Sequence, residues 1–399
     1  LRATTLSGNR QWGLLNMGQG TVQDSTLQGR PASSDLVLFN GGGTVLVSGS
    51  IVAGIGASGF SQVLSGGFNL VSYLSGWILI FDREGDQVGI VDLRLSPLAI
   101  YSGQVPVHLP LADSRALDKG LGRSVDQRGA LVYDLASVAP ASGGDNSDIG
   151  AVEAQALIVS TLDDSGAGSL RQAMLDANDH GPAVHDILFA PGLTGTIGLN
   201  SKLPMPKSHL NLVGPGANLL SVRRNDAAPR FGLLDVFKPI QLGISGLTLS
   251  NGWDDGSNGG DNFGGAIDAN GAQLHLTAVE IAGNQAGVGG GISLANADGL
   301  ILNSSFALNA AKAAGGGVNF QGDDHRLRIE QTTFSGNTAD GPGSGGAINA
   351  GAFDSGITQA RVDVLSCTIA NNSGAGGGGI RTASLSAQGT TTTTLHNTL

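Results

Sequence analysis

Two groups of side chains in this sequence have the types and spacing for chemistry. The first is Trp253-Asp254-Asp255-Gly256 with Asp261 close behind. Its carboxylates could give oxygen ligands to calcium. They could equally work as an acid and base pair on a glycosidic bond, with the indole holding the sugar. The second group, Asp323-Asp324-His325-Arg326, sets acid, imidazole and guanidinium side by side. The plainer reading of both is a solvated polar loop or charged turn, because no third acid recurs at a matching place to make a catalytic row. Asp163-Asp164 and the acids Asp145 and Asp148 read as turn residues that bond their own backbone, with calcium as the other use. His275, His325 and His396 lack the spacing of metal ligands. Cys367 is the single cysteine, so an intrachain disulfide framework is excluded. It reads as a small buried residue in a strand with Leu365 and Ile369. Asp126-Gln127-Arg128-Gly129 reads as a tie between an end segment and a coil, made by an internal ion pair or hydrogen bonds. No catalytic, metal or cofactor-binding residue is expected.

The elements that carry these residues show themselves by repetition. Gly264-Gly265-Ala266-Ile267, Gly289-Gly290-Gly291-Ile292, Gly315-Gly316-Gly317-Val318, Gly345-Gly346-Ala347-Ile348 and Gly377-Gly378-Gly379-Ile380 share one phrase, and its aliphatic residues lie 25, 26, 30 and 32 positions apart. Periods of this size mark a solenoid. An alternating strand and an asparagine turn precede each cluster. Asn284, Asn309, Asn337 and Asn372 are 25, 28 and 35 apart. One strand–turn–glycine–strand unit per period fits one coil of a parallel β-helix, with coils stacked about 4.8 Å apart. Gly265, Gly290, Gly316, Gly346 and Gly378 are expected to turn corners by positive φ or to leave room for the next coil. The asparagines are expected to use the left-handed region and to bond their counterparts one coil away. The growing period places insertions at Gly341-Pro342-Gly343 and Gly351-Ala352-Phe353-Asp354.

Composition agrees. Glycine numbers 65 and charged residues are 13%, yet apolar residues reach 40% and alternate with polar ones. Collagen would need glycine at every third place, and disorder would need few apolar residues. The net charge of −11, without a basic stripe, argues against nucleic acid and anionic membrane surfaces. No apolar run is long enough for a membrane span.

The repeat is interrupted. Residues 1–70 carry weaker coils, 72–154 are irregular, and a new start follows. There Ser169 caps a short helix near 169–178, with Gln172 placed for a capping box and Leu170, Ala173, Met174 and Ala177 on one face. The expected organisation is therefore 1–154 as the late coils and end segment of one β-helix, and 155–399 as the cap and early coils of the next. Joining Leu399 to Leu1 extends the pattern: Asn372 and Asn9 fall 36 apart, and Ile380 and Leu14 fall 33 apart. Leu1, Leu6, Leu395 and Leu399 are the expected junction. A return of residues 122–156 along the rod would offer closure within one chain instead.

The motifs resemble those of bacterial right-handed parallel β-helix surface proteins, the choice-of-anchor Q domain family of pectin-lyase-like shape. The likeness rests on the entry phrase STLDDSGAGSLRQA at 160–173, then 186–189, 212–217 and 244–249. It rests also on the exit phrases at 126–129 and 148–153 and the late coils at 50–54 and 66–70. The repeats are also similar to the GGA[ILV] and FxxN repeats of chlamydial polymorphic outer-membrane proteins. The resemblance implies an all-β, right-handed parallel β-helix with a capping helix, in an extracellular or cell-surface bacterial protein. The order of exit before entry, together with the join of Leu399 to Leu1, leads to the expectation of a non-enzymatic structural or adhesive role, as a unit of a head-to-tail fibre or tandem array partnered by copies of itself. Polysaccharide binding or cleavage is the alternative. Two acids and a basic residue converging in a groove would favour that alternative.

Overall fold

The computed structural model describes residues 1–9, 12–29, 36–76, 79–98, 105–111, 114–129, 132, 138–153, 156–179, 184–237, 239–257, 261–322, 324–352, 359–384 and 390–399. Asp323, Phe353, Asp354 and the 154/155 boundary fall outside these. The chain forms two compact units, Leu1–Ala156 with Ala183–Asp186, and Leu157–Pro182 with Ile187–Leu399.

In the second unit one turn of the coil runs through Gln273–Thr277, Glu280–Ala282, Gln285–Val288 and Ile292–Ala295. Each strand pairs in parallel with its counterpart one turn on: Asp298–Leu302, Ser305–Ala307, Ala310–Ala314 and Val318–Gln321. Repetition builds sheets of nine, seven, five and six strands. The fold is a parallel β-helix. Ile267, Ile292, Val318, Ile348 and Ile380, the aliphatic residues after each glycine cluster, are direct partners in the six-stranded sheet. Phe306 and Phe334, also register partners, are fully buried and stack with ring centroids 4.8 Å apart. Such a pair contributes about 1 kcal/mol beyond its burial.

Helix α1 (Leu170–Asp179) opens this unit. Ser169 Oγ accepts the Gln172 N–H at 3.1 Å, as an N-cap does. The capping box is only half formed, because the Ser169 N–H donates to Gly166 O at 3.1 Å; the Gln172 side chain donates forward to Asp176 at 2.8 Å. Leu170, Ala173, Met174 and Ala177 bury their side chains in the same apolar cluster as Val159, Ile187 and Ile197. They thereby cover apolar surface at the start of the stack. Asp164, read as a turn residue, instead pairs with Arg171 of the helix at 2.6 Å.

The first unit uses three sheets per turn, as in Thr5–Ser7, Leu14–Asn16 and Gly20–Gln23. Coils reach further than the sequence indicated, since Leu74–Ser75, Leu79–Ile80 and Gln87–Val88 each extend a sheet. Beyond them the chain packs Leu93, Ala116 and Ile149 on Ile51 and Leu70. It then returns along the unit to the first coil: Gly150 N–H donates to Gly49 O at 2.9 Å, Ala151 N–H to Thr26 Oγ1 at 3.0 Å, and Thr5 Oγ1 to Gln127 Oε1 at 2.8 Å. Arg128 is the anchor of this segment. Fully buried, it meets Asp126 at 2.9 Å and Asp186 at 3.2 Å and donates to Glu153 O at 2.6 Å. A buried cation with one carboxylate removed would be strongly destabilising, by about 3–5 kcal/mol.

Candidate functional site

The first candidate is the asparagine ladder, built by the bends that follow the seven-stranded sheet. Asn309 is fully buried. Its Oδ1 accepts the Asn284 N–H at 3.1 Å and Asn284 Nδ2 at 3.0 Å. Its Nδ2 donates to Ile281 O at 2.8 Å and to Asn337 Oδ1 at 2.9 Å. Asn337 repeats this with Asn372. Every amide-to-amide bond thus donates toward the C-terminal end of the stack, while the second hydrogen of each amide goes back to a carbonyl of the preceding coil, so the ladder has a direction. The left-handed residue is not the asparagine, as the sequence suggested, but its predecessor: Gly283, Leu308, Gly336 and Asn371. That leaves the asparagine pointing inward, where it satisfies backbone groups that the bend would strand.

The glycine clusters divide their two tasks. Gly264, Gly289 and Gly315 take positive φ. Gly265, Gly290, Gly316 and Gly346 do not; they provide room. A Cβ on Gly290 or Gly316 would come within 2.6 Å of backbone in the next coil.

The expected junction residues lie at coil edges. Leu395 pairs with Val364 in the strand Thr390–His396 and is 57% exposed. Leu1 and Leu399 are also exposed, each bonded to its own neighbouring coil through Thr21 O and Cys367 O. Leu6 is half-buried against the core of the first unit, and Asn9 is exposed.

The second candidate is a group of charges on the second unit. Asp235 and Asp268 are register partners in successive coils of the six-stranded sheet. Lys202 Nζ donates to Asp235 Oδ1 at 2.8 Å and Oδ2 at 2.7 Å and lies 3.7 Å from Asp254 Oδ2. Asp254 is buried; its Oδ1 clamps the loop by accepting the N–H groups of Gly256 and Asn262 at 3.0 and 3.1 Å. Burial, then the charge of Asp261 and a hydrogen bond with it, push Asp268 up to about 8. Burial also raises Asp235, and outweighs its bond from Lys202. Burial works to lower Lys202, but the bond and charge of Asp235 prevail and hold its ammonium above the usual range. Asp255 turns the other way. Hydrogen bonds from Ser257 and Arg230 hold it down to about 2, and Arg230 lies 3.8 Å over the Trp253 ring.

The acids expected to form one loop site are thus divided between two partners, and their oxygens serve the chain's own amides and cations. Lys202, Asp235 and Asp268 escaped the sequence reading. The available signal was an acid between two aliphatic residues, in Leu234-Asp235-Val236 and again one coil later in Ile267-Asp268-Ala269. The same row continues through Ser293, Asn319, Asn349 and Arg381, with Asn349 Nδ2 donating to Asn319 Oδ1 at 2.9 Å.

The other sequence candidates are structural ties. Asp324 accepts the Gln359 N–H, His325 sits 3.4 Å from Asp298, and Arg326 binds Asp363 at 2.6 Å. Asp145 accepts from Ser147 and Gly122, and Asp148 accepts from Asp118. Cys367 is buried at a bend between strands, not within one. Its thiol donates to Leu365 O at 3.2 Å, as Ser304 and Thr332 donate to the carbonyls two residues before them. It thus occupies a place in a row of hydroxyls. His275 meets Gln241 at 2.6 Å, and His396 is exposed. Among the described residues no three acids, histidines or cysteines are arranged to hold a metal ion. No helix among them is long and apolar enough to cross a membrane.

No protein-family model matches the chain, and no curated protein compared with it matches either.

Proposed function

We propose that the chain is a structural stacking unit of the bacterial cell surface, one element of a head-to-tail β-helix fibre or tandem array. Its resemblance to choice-of-anchor Q proteins points the same way. The one-way asparagine ladder carries this reading. Each link donates forward and accepts backward, so a coil of the same kind laid on the strands Thr368–Ala370 and Thr390–His396 continues the sheets, and it continues the ladder once the Asn372 amide exchanges its bond to Ala370 O for one forward. Asn9 follows Ser7-Gly8 as Asn337 follows Ser335-Gly336, so the first coil carries the matching acceptor. Such strand addition between copies is heterologous and propagates when it does not close.

Sedimentation of the purified chain at rising concentration tests this. Association is expected, and Leu395→Lys is expected to abolish it. The side chain is exposed in the isolated chain, where a charge costs little, but a stacked copy would bury that charge. A monomer at every concentration contradicts the reading.

A polysaccharide-directed role is the second reading, favoured by the meeting of Lys202 with Asp235 and Asp254 beside Asp268, and by Trp253 under Arg230. It expects shortened products, or retention of the chain, with acidic or neutral glycans. Unchanged glycans and no retention contradict it.

A further inference from the structure

We propose that Lys202 and Asp235 condense into an intramolecular isopeptide bond, with the Asp261–Asp268 carboxyl pair passing the protons. The reactants are already in contact, with Nζ against both carboxylate oxygens. Both backbones are fixed. Lys202 O accepts from Arg171 of helix α1 at 2.7 Å, and Asp235 lies in a strand between buried Leu234 and Val236. Groups held so have effective concentrations of about 10⁵ M or more. The side chains are largely withdrawn from water, 26% and 16% exposed.

The surroundings hold more than an ion pair requires. The ammonium faces two carboxylates, Asp235 and Asp254, while Asp268 stands over Asp235 one coil away and is bonded to Asp261. Asp268 keeps its proton at neutral pH, so the pair can both give and take one. Transfer of one proton from the ammonium to the Asp235 carboxylate leaves a neutral amine beside a neutral acid. Turning of the Asp235 carboxyl about Cβ–Cγ presents its carbon to the amine. The amine attacks, forming the N–C bond; the carboxyl C–O bond breaks, and the hydroxyl leaves as water with a proton from Asp268. The amide nitrogen returns a proton to the Asp261–Asp268 pair. Ammonium and carboxylate thus become amide and water, and no oxidant is needed. The link would staple the segment after the strand Gly195–Leu199 to the following coil, in a chain whose single cysteine precludes an internal disulfide.

The test is the intact mass of the purified full chain, and it does not depend on the stacking reading. The wild type is expected to be lighter than its sequence by one water, and a protease digest is expected to yield one branched peptide joining Lys202 to Asp235. Lys202→Arg keeps the charge and the ion pair but cannot condense, and is expected at its full sequence mass. A wild-type chain of full sequence mass overturns the proposal. So does a water lost elsewhere, such as by ring closure at Asp255-Gly256.

Discussion

Asp268→Asn is expected to stabilise the protein at pH 8 by on the order of 5 kcal/mol and to leave it unchanged near pH 4. In the fold Asp268 keeps its proton to about pH 8, against an ordinary value of 3.8. Between these limits the native state binds the extra proton. Stability is therefore full below about pH 4 and falls as pH rises toward 8. Asparagine has nearly the same shape, stays neutral and can donate to Asp261, so the variant loses this slope. Burial and Asp261 are the chief causes of the shift, and neither depends on Lys202. Both chains should carry Lys202→Arg, so that no amide forms in either. Denaturation midpoints from pH 4 to 8 give the comparison. A midpoint that does not fall with pH in the chain that keeps Asp268 contradicts the assignment. The slope lies apart from that of Asp255, whose lowered value acts only below about pH 4.

Asn309→Ala is expected to cost about 3–4 kcal/mol. The substitution leaves the Asn284 N–H and the Ile281 carbonyl without the partners they have in the ladder. Both lie in a fully enclosed bend, and each orphaned group costs about 1–3 kcal/mol. Thr333→Ala, on the exposed side of the neighbouring strand, is expected to change stability by less than about 0.5 kcal/mol. Equal effects of the two substitutions in chemical denaturation would show that the ladder holds nothing together.

The coil was legible because its backbone demands recur. A corner that needs positive φ and a close approach to the next coil takes glycine every time, so Gly289, Gly290 and Ile292 have counterparts in each turn. The asparagine ladder was legible for the same reason, since one inward amide per bend satisfies the same stranded groups. The conformations within the bend were not. Whether Asn309 or Leu308 takes the left-handed angle depends on which side chain must point inward, and the neighbouring coils decide that. The charged group around Lys202 was hidden for a different reason. Lys202 lies in a stretch between strands that occurs once, so no period marks it. Asp235 and Asp268 alternate with aliphatic residues, which reads as the solvent face of a strand. Their burial in the fold, with Asp261 beside Asp268, is what moves their protons. The half-formed capping box at Ser169 is similar: Gln172 stands at the right spacing, but the carbonyl of Gly166 takes the Ser169 N–H that its side chain would have accepted.

Electron microscopy of the purified chain tests the stacking role most directly. Unbranched filaments of uniform width are expected, and they shorten or vanish with Leu395→Lys. Separate single particles at concentrations well above those used for sedimentation would contradict it.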